Sequence, residues 1–354
     1  MSDLVLVVPG PLETPTGGYG YDRRIIEGLR ARGWAVNVCQ LDDCFPSPTA
    51  AALDGASHAF ASMPAGALVL VDGLAGGALP DVVERERSRL RLVALVHHPL
   101  AWETGLDAGA AARLEASERR TLRSVRRVVV TSRRTAAALT SFGVADERVD
   151  VVEPGTDPAP LARGSGGDAL HFVCVASVTP RKGHEVLIDA LSRCRDRDWR
   201  LTIVGSLDRH PPTGASLRAR VMREQLEDRV VLVGEVPPSD VSRFYDRADV
   251  FVLPTLYEGY GMVVAEALAR GLPVVTSATG AAVDLVTPES WPDAGVVVPP
   301  GDVDALTAAL RRIIDDSAWR AGLVSGARAA RARLPTWASA AAAMEGVLAR
   351  AGLP

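Results

Sequence analysis

Short apolar runs recur along the chain, each followed by a longer stretch whose hydrophobic positions return at helical spacing. Leu4–Val8, Trp34–Val38, Ala67–Val71, Leu92–Val96 and Arg127–Thr131 read as strands, with helices over Tyr21–Arg32, closed by Gly33, and near Gly109–Arg123. Continuous apolar runs mark strands buried on both faces, so this alternation predicts a parallel, doubly wound α/β sheet with right-handed crossovers. The pattern breaks near residue 155, where Glu153-Pro-Gly-Thr-Asp-Pro-Ala-Pro160 leads into Gly164-Ser-Gly-Gly167, a linker by composition. A second series follows. Strands are expected at Leu170–Ala176, Leu201–Val204, Val230–Val233, Val250–Leu253, from Val274 and at Val296–Val298. Helices are expected at Glu185–Arg193, Leu217–Leu226, Asp240–Arg247, Met262–Arg270, Asp302–Asp315 and Ala318–Arg333, with an Ala-rich helix from Trp337 to Arg350. Two domains are therefore expected, residues 1–160 and 168–335, with the terminal helix 336–354 returning to the first. Ligands of open α/β sheets bind outside the carboxyl ends of the strands, which predicts a site in the cleft between the two domains.

The densest chemical signal is Pro254-Thr-Leu-Tyr-Glu258-Gly-Tyr-Gly261-Met-Val-Val-Ala-Glu266. A buried strand, a glycine turn and a helix N-terminus form an anion site, because free N–H groups and the helix dipole both favour phosphate. A carboxylate about a turn into the helix can accept hydrogen bonds from ribose hydroxyls. Glu266 could instead be a solvated helix residue, but it sits between alanines in an almost wholly apolar helix, where a carboxylate needs a partner or a cleft.

Composition narrows the reading. With 354 residues, 47% of them hydrophobic, there is material for two cores. A net charge of −4 argues against a nucleic-acid binder that works by phosphate neutralisation. Local arginine-rich stretches, such as 119–127, read as solvated helix faces, leaving at most peripheral membrane contact. Cys39, Cys44, Cys174 and Cys194 form no Cys-x-x-Cys pair, and a reducing, cytoplasmic setting fits. Neither a signal peptide nor an apolar run of transmembrane length is expected from the sequence.

Three further features carry chemistry. Gly17 and Gly18 come between the first strand and the Tyr21 helix, where backbone can approach a pyrophosphate or sugar. Lys182, one of very few lysines in an arginine-rich chain, lies just before a helix that starts at Gly183, where an ammonium can neutralise a diphosphate leaving group. His97 ends a buried strand, with His98 beside it. Neither histidine has a Cys or carboxylate at metal-ligand spacing, so no metal is expected. The glycines do not follow Gly-x-Gly-x-x-Gly, which argues against a nicotinamide oxidoreductase.

In register along the chain, Thr16-Gly-Gly-Tyr-Gly20, Val96-His-His-Pro99, Ser177-Val-Thr-Pro-Arg-Lys-Gly183 and the Glu258/Glu266 pair closely resemble the motifs of retaining glycosyltransferases of family 4. The resemblance covers essentially the whole length. It implies the GT-B fold, two Rossmann-like domains facing a cleft. It also implies transfer of a hexosyl group from an NDP-sugar to an acceptor hydroxyl with retention, without a metal and by front-face attack. His97 would contact the donor sugar near its transferred carbon, and Glu258 would bind hexose hydroxyls. Gly259, Tyr260 and Gly261 would lie along the sugar–phosphate junction, Glu266 would hold the ribose, and the turn at Val236 would meet the nucleobase. The family's second cation, five positions before the lysine, is Ser177 here. Arg181 is the candidate for that missing charge, provided its side chain points the same way. The acceptor would be a small molecule or a lipid-linked one, met by Tyr19, Tyr21, Arg23 and Trp102. A sugar-nucleotide epimerase or a glycoside phosphorylase shares this architecture and is the alternative.

Overall fold

A computed structural model of the protein describes residues 3–353. The chain forms two compact units, one running to Gly155 and taking in the segment from Pro335 onward, the other Thr156–Leu334.

The first unit runs β1 (Asp3–Pro9), α1 (Gly17–Ala31), β2 (Ala35–Leu41), α2 (Ala50–Ser62), β3 (Leu68–Asp72), α3 (Gly73–Gly76), α4 (Pro80–Glu86), β4 (Arg91–Val96), α5 (Ala108–Ser124), β5 (Arg127–Val130), α6 (Arg133–Leu139) and β6 (Val149–Val151). Its six strands lie in the order β2-β1-β3-β4-β5-β6, and the paired strands are parallel. From β1 the chain first adds β2 on one side and then β3 on the other. The strand order therefore reverses at β1/β3, the place where open α/β sheets hold ligands. β3 and β4 are buried almost throughout, as expected of strands covered on both faces.

The second unit runs β7 (Leu170–Val175), α7 (His184–Ser192), β8 (Trp199–Val204), α8 (Pro211–Arg223), β9 (Val230–Gly234), α9 (Pro238–Asp246), β10 (Val250–Leu253), α10 (Met262–Ala269), β11 (Val274–Ser277), α11 (Ala282–Val286), β12 (Gly295–Val298), α12 (Val303–Asp315) and α13 (Ser317–Ala330). Its parallel sheet has the order β12-β11-β10-β7-β8-β9, so the reversal falls at β7/β10. Phe172, Val173, Phe251 and Val252 on those two strands are fully buried at the centre of this unit's core. The last helix, α14 (Trp337–Gly352), packs on α1 of the first unit, where Gly28 leaves the space that Ala341 fills: a Cβ at Gly28 would stand 2.5 Å from that of Ala341. Glu345 fixes this contact by accepting from Trp34 Nε1 at 3.0 Å and from Arg32 Nε at 2.6 Å.

Two element boundaries depart from the sequence expectation for physical reasons. Helix α1 starts at Gly17, not Tyr21, because the Thr16 hydroxyl accepts from Tyr19 N at 3.2 Å and caps it, which outweighs the poor helix propensity of Gly17, Gly18 and Gly20. Helix α8 starts at Pro211, since proline in a first turn sacrifices no hydrogen bond.

Glu118 on α5 shows how the segment after β4 is held. It is buried, and its Oε2 accepts from Leu100 N at 3.0 Å. Burial raises its carboxyl to about 8, the Leu100 hydrogen bond pulls it partly back, and Glu115 adds a smaller push upward. The stability gained from keeping this proton is complete below the ordinary value of 4.5 and is lost as pH rises through about 8. Glu118→Gln is expected to remove that loss, which is on the order of 4 kcal/mol across the window. Urea denaturation midpoints at pH 5 and pH 9 should differ less in the variant than in the parent.

Candidate active site

The two loops flanking the β7/β10 reversal carry Lys182 and Glu258, which explains why residues 76 positions apart meet. After β7, a 3-10 turn at Pro180–Lys182 ends in Gly183, whose φ of +67° and whose missing Cβ are both required: a Cβ there would stand 2.0 Å from the Pro254 carbonyl oxygen. After β10, the chain is fastened to that turn. Leu256 N donates to Arg181 O at 2.7 Å, Thr255 Oγ1 to the same oxygen at 3.0 Å, and Arg181 Nη1 to Tyr257 O at 2.9 Å. The outcome is a compact charge cluster. Lys182 Nζ lies 2.5 Å from Glu258 Oε2, and Arg181 Nη1 lies 3.7 Å from the same oxygen. Arg181 thus does point the way of Lys182. Lys182 is also the only lysine in the sequence.

Behind this cluster, Gly261 (φ +88°) turns the chain into α10 with no side-chain cap on the helix. The main chain of Gly259 accepts from Ala281 N at 3.2 Å, while the Tyr260 ring packs inward with Ala265 and Ala281, leaving its backbone to the turn. Glu266 lies one turn into α10, partly buried. It accepts from Tyr245 Oη at 3.0 Å, and Arg270 stacks over the Tyr245 ring at 4.5 Å. Burial raises the Glu266 carboxyl, against the opposing pull of Tyr245 and Arg270. Val236 is separate from this grouping: it stands in the turn after β9, an edge strand parted from β7 by β8.

Sequence reasoning missed the supports. Gly280 (φ +50°) sits under the Glu258 loop, and a Cβ there would be 2.0 Å from the Glu258 carbonyl and 2.5 Å from that of Gly259. Gly280→Ala should displace the loop, at a cost of about 1–3 kcal/mol in stability and with a matching loss of ligand affinity. Thermal melts with and without nucleotide read both effects. The signal was an Ala-Thr-Gly-Ala-Ala stretch too ordinary to single out. Thr255 and Tyr245 were missed likewise, since only the fold shows what their hydroxyls bind.

In the first unit, Gly17 and Gly18 open α1, and Gly18 lies against the His97 ring: its Cβ would be 3.4 Å from Cδ2. His97 follows β4, and Thr131 Oγ1 donates to its carbonyl at 3.4 Å. Local spacing offered it no carboxylate, but the fold supplies two. Asp22 Oδ1 on α1 and Asp72 Oδ2 at the end of β3 each lie 3.5 Å from His97 Nε2, and all three donor atoms fall within 4.8 Å of one another, within reach of a single cation or proton. His98 Nε2 pairs with Glu103 at 3.3 Å. Of the residues expected on the acceptor side, Tyr19 and Tyr21 are buried. Their hydroxyls bond the carbonyls of Pro9 and Val152, and Arg23 is turned to the carbonyls of Leu12 and Thr14. Tyr19 and Tyr21 belong to the unit's interior and Arg23 is half-buried, whereas Trp102 is 37% exposed. Among the described residues no helix is long and apolar enough to cross a membrane.

Comparison with known proteins agrees with this architecture. The chain is 29% identical over 265 residues to an MMP alpha-(1->4)-mannosyltransferase of Mycolicibacterium hassiacum, a match covering 71% of this chain and 63% of that protein. It is 32% identical over 207 residues to the lipopolysaccharide core biosynthesis mannosyltransferase LpsB of Rhizobium meliloti, covering 55% and 57%. The matched segments thus span less than two thirds of these curated relatives. Among solved structures, sucrose-phosphate synthase from Thermosynechococcus elongatus superposes with a TM-score of 0.82 at 24% identity over 99% of both chains. Anabaena Alr3699/HepE in complex with UDP-glucose superposes with a TM-score of 0.77 at 19% identity, over 99% of this chain and 100% of that one. The fold is GT-B. Residues 23–160 match the model described as Glycosyltransferase Family 4 and residues 169–316 the one described as Glycosyl transferases group 1, and the chain belongs to this family of group 1, family 4 glycosyltransferases.

Proposed function

We propose that the protein transfers a hexosyl group from a nucleoside diphosphate sugar to an acceptor hydroxyl, with retention at the anomeric carbon and without a divalent metal. The observation that carries this reading is the meeting of Lys182, Arg181 and Glu258 at the strand-order reversal, beside the uncapped start of α10. Two cations and a helix N-terminus supply what a departing diphosphate needs. A carboxylate already paired to the lysine can take hydroxyls of the sugar when phosphate claims the ammonium. Glu266, one helical turn on, suits a ribose. The named mannosyltransferase relatives and the neighbour holding UDP-glucose favour a hexose on a nucleoside diphosphate as donor.

In the reaction the anomeric C–O bond to the diphosphate breaks, and the acceptor oxygen bonds to the same carbon from the same face. The acceptor proton passes to a departing phosphate oxygen. Lys182, Arg181 and the α10 amides stabilise the charge that grows on that phosphate. His97 would meet the donor sugar, and a small-molecule or lipid-linked alcohol would receive it.

A thermal-shift panel with UDP, GDP, ADP, CDP and dTDP tests the donor class, because only a bound nucleotide stabilises the folded chain in proportion to its affinity. One base is expected to stand out, and its hexose conjugate should release diphosphate only when an alcohol is present. Stabilisation by none of the five would remove the proposal. Turnover without an alcohol, or turnover requiring inorganic phosphate, would point to the epimerase or phosphorylase alternative.

A further inference from the structure

The most buried charged grouping of the first unit lies beneath the Gly17–Gly18 turn. Asp22 and Asp72 are each 1% exposed, and both face His97 Nε2 at 3.5 Å. Asp72 also accepts from Leu74 N at 2.8 Å, whereas neither Asp22 oxygen nor His97 Nε2 has a hydrogen bond within normal geometry among the described residues, so the contact at 3.5 Å is one of charge. Among the described residues, α1 adds two further titratable or charged groups around the ring and its carboxylates, and His98, paired with Glu103, follows His97 in the chain. Tyr21 meets it edge-on at 5.4 Å between centroids, and Arg23 acts on Asp22 through its charge. Two carboxylates so deeply buried require a cation beside them. The imidazole itself, once protonated, is that cation. The turn closes over this edge of the ring: a Cβ on Gly18 would stand 3.4 Å from Cδ2 and 3.5 Å from Nε2, which leaves little space for the water molecules that complete a metal ion's shell.

We propose that Asp22 and Asp72 are positioning residues that clamp the Nε2 edge of His97 and hold the ring as an imidazolium, so that the atom it offers a ligand is Nδ1–H, a hydrogen-bond donor and not a base. Burial alone would strip the proton from His97, but the two carboxylates of Asp22 and Asp72 beside Nε2 outweigh it and raise the ring far above its ordinary value. Burial likewise raises Asp22, with His97 pulling it back. The chemistry that suits such a donor is an oxygen of a sugar hydroxyl or ring. This ligand assignment rests on the proposed function; the protonation state does not.

The test uses the intact chain labelled with 15N-histidine, with the His97 ring nitrogens assigned through His97→Gln. In the parent, both nitrogens are expected to keep imidazolium shifts up to pH 8.5, two units above the ordinary histidine pKa of about 6.5. Asp22→Asn and Asp72→Asn should each move the titration down by about 1–3 units. In transfer assays the same variants should lose kcat on the alkaline side at correspondingly lower pH, a movement that a purely structural role would not produce. A parent His97 that titrates near pH 6.5 would overturn the proposal even if neither variant folds. So would unchanged titration in both variants, or one equivalent of tightly bound metal in the parent that both variants lack. The NMR result stands whether or not sugar is transferred, so its failure is distinct from failure of the donor reading.

Discussion

Lys182→Ala is expected to lower the transfer rate about 10²–10³-fold, the usual consequence of removing one donor from developing negative charge. The ammonium is the only lysine nitrogen in the chain and stands at the strand-order reversal, where Arg181 is the other cation. Arg181 lies 1.2 Å farther from the Glu258 oxygen than Lys182 does (3.7 against 2.5 Å) and already donates to Tyr257 O, so it can offset only part of the loss. Affinity for the bare nucleoside diphosphate should fall together with kcat. Stability should change little, because the turn is held by backbone bonds at Arg181 and by Gly183, none of which uses the lysine side chain. Lys182→Arg is expected to rescue poorly, since a planar guanidinium does not replace a compact point charge. Steady-state kinetics and a melting curve on the same preparation read all three outcomes.

Glu258→Ala is expected to abolish transfer to a similar extent or more, about 10²–10⁴-fold, while leaving the bare diphosphate bound as well as before or better. The sign follows from the pair itself. Glu258 is paired with Lys182, so its removal frees the ammonium for phosphate. What disappears is the acceptor of hydrogen bonds for sugar hydroxyls. The two variants therefore separate in calorimetry: one loses diphosphate affinity, and the other loses only the sugar's contribution. Equal loss of diphosphate affinity in both would contradict the division of roles between the two side chains.

Much of this was legible in residue order. Val250–Leu253 is apolar throughout and became β10 with the boundaries expected, and the Glu258–Glu266 segment became the turn and helix it suggested. The apolar runs elsewhere became strands to within a few residues, since a strand buried on both faces leaves a continuous signature. Helix α2 escaped notice because its Ala-rich sequence has little polar contrast. The start of α1 was misplaced because a hydroxyl cap counts for more there than propensity does. Pairings across strand order were illegible for a simpler reason. Nothing local ties Asp22 and Asp72 to His97, or Gly280 to Glu258; each pair meets only once the sheet is assembled. Tyr19 and Tyr21, expected to meet the acceptor, are buried, and what their hydroxyls bond, the carbonyls of Pro9 and Val152, is likewise set by the assembled fold.

The most direct measurement is a calorimetric titration of the whole chain with the nucleoside diphosphate that the thermal-shift panel selects, run in parallel on Lys182→Ala and Glu258→Ala. One site per chain is predicted, with affinity lowered at least about tenfold by Lys182→Ala, equivalent to about 1.4 kcal/mol, and held or raised by Glu258→Ala. Absence of binding heat in the parent, or the same affinity in parent and Lys182→Ala, would contradict a diphosphate grip built on Lys182.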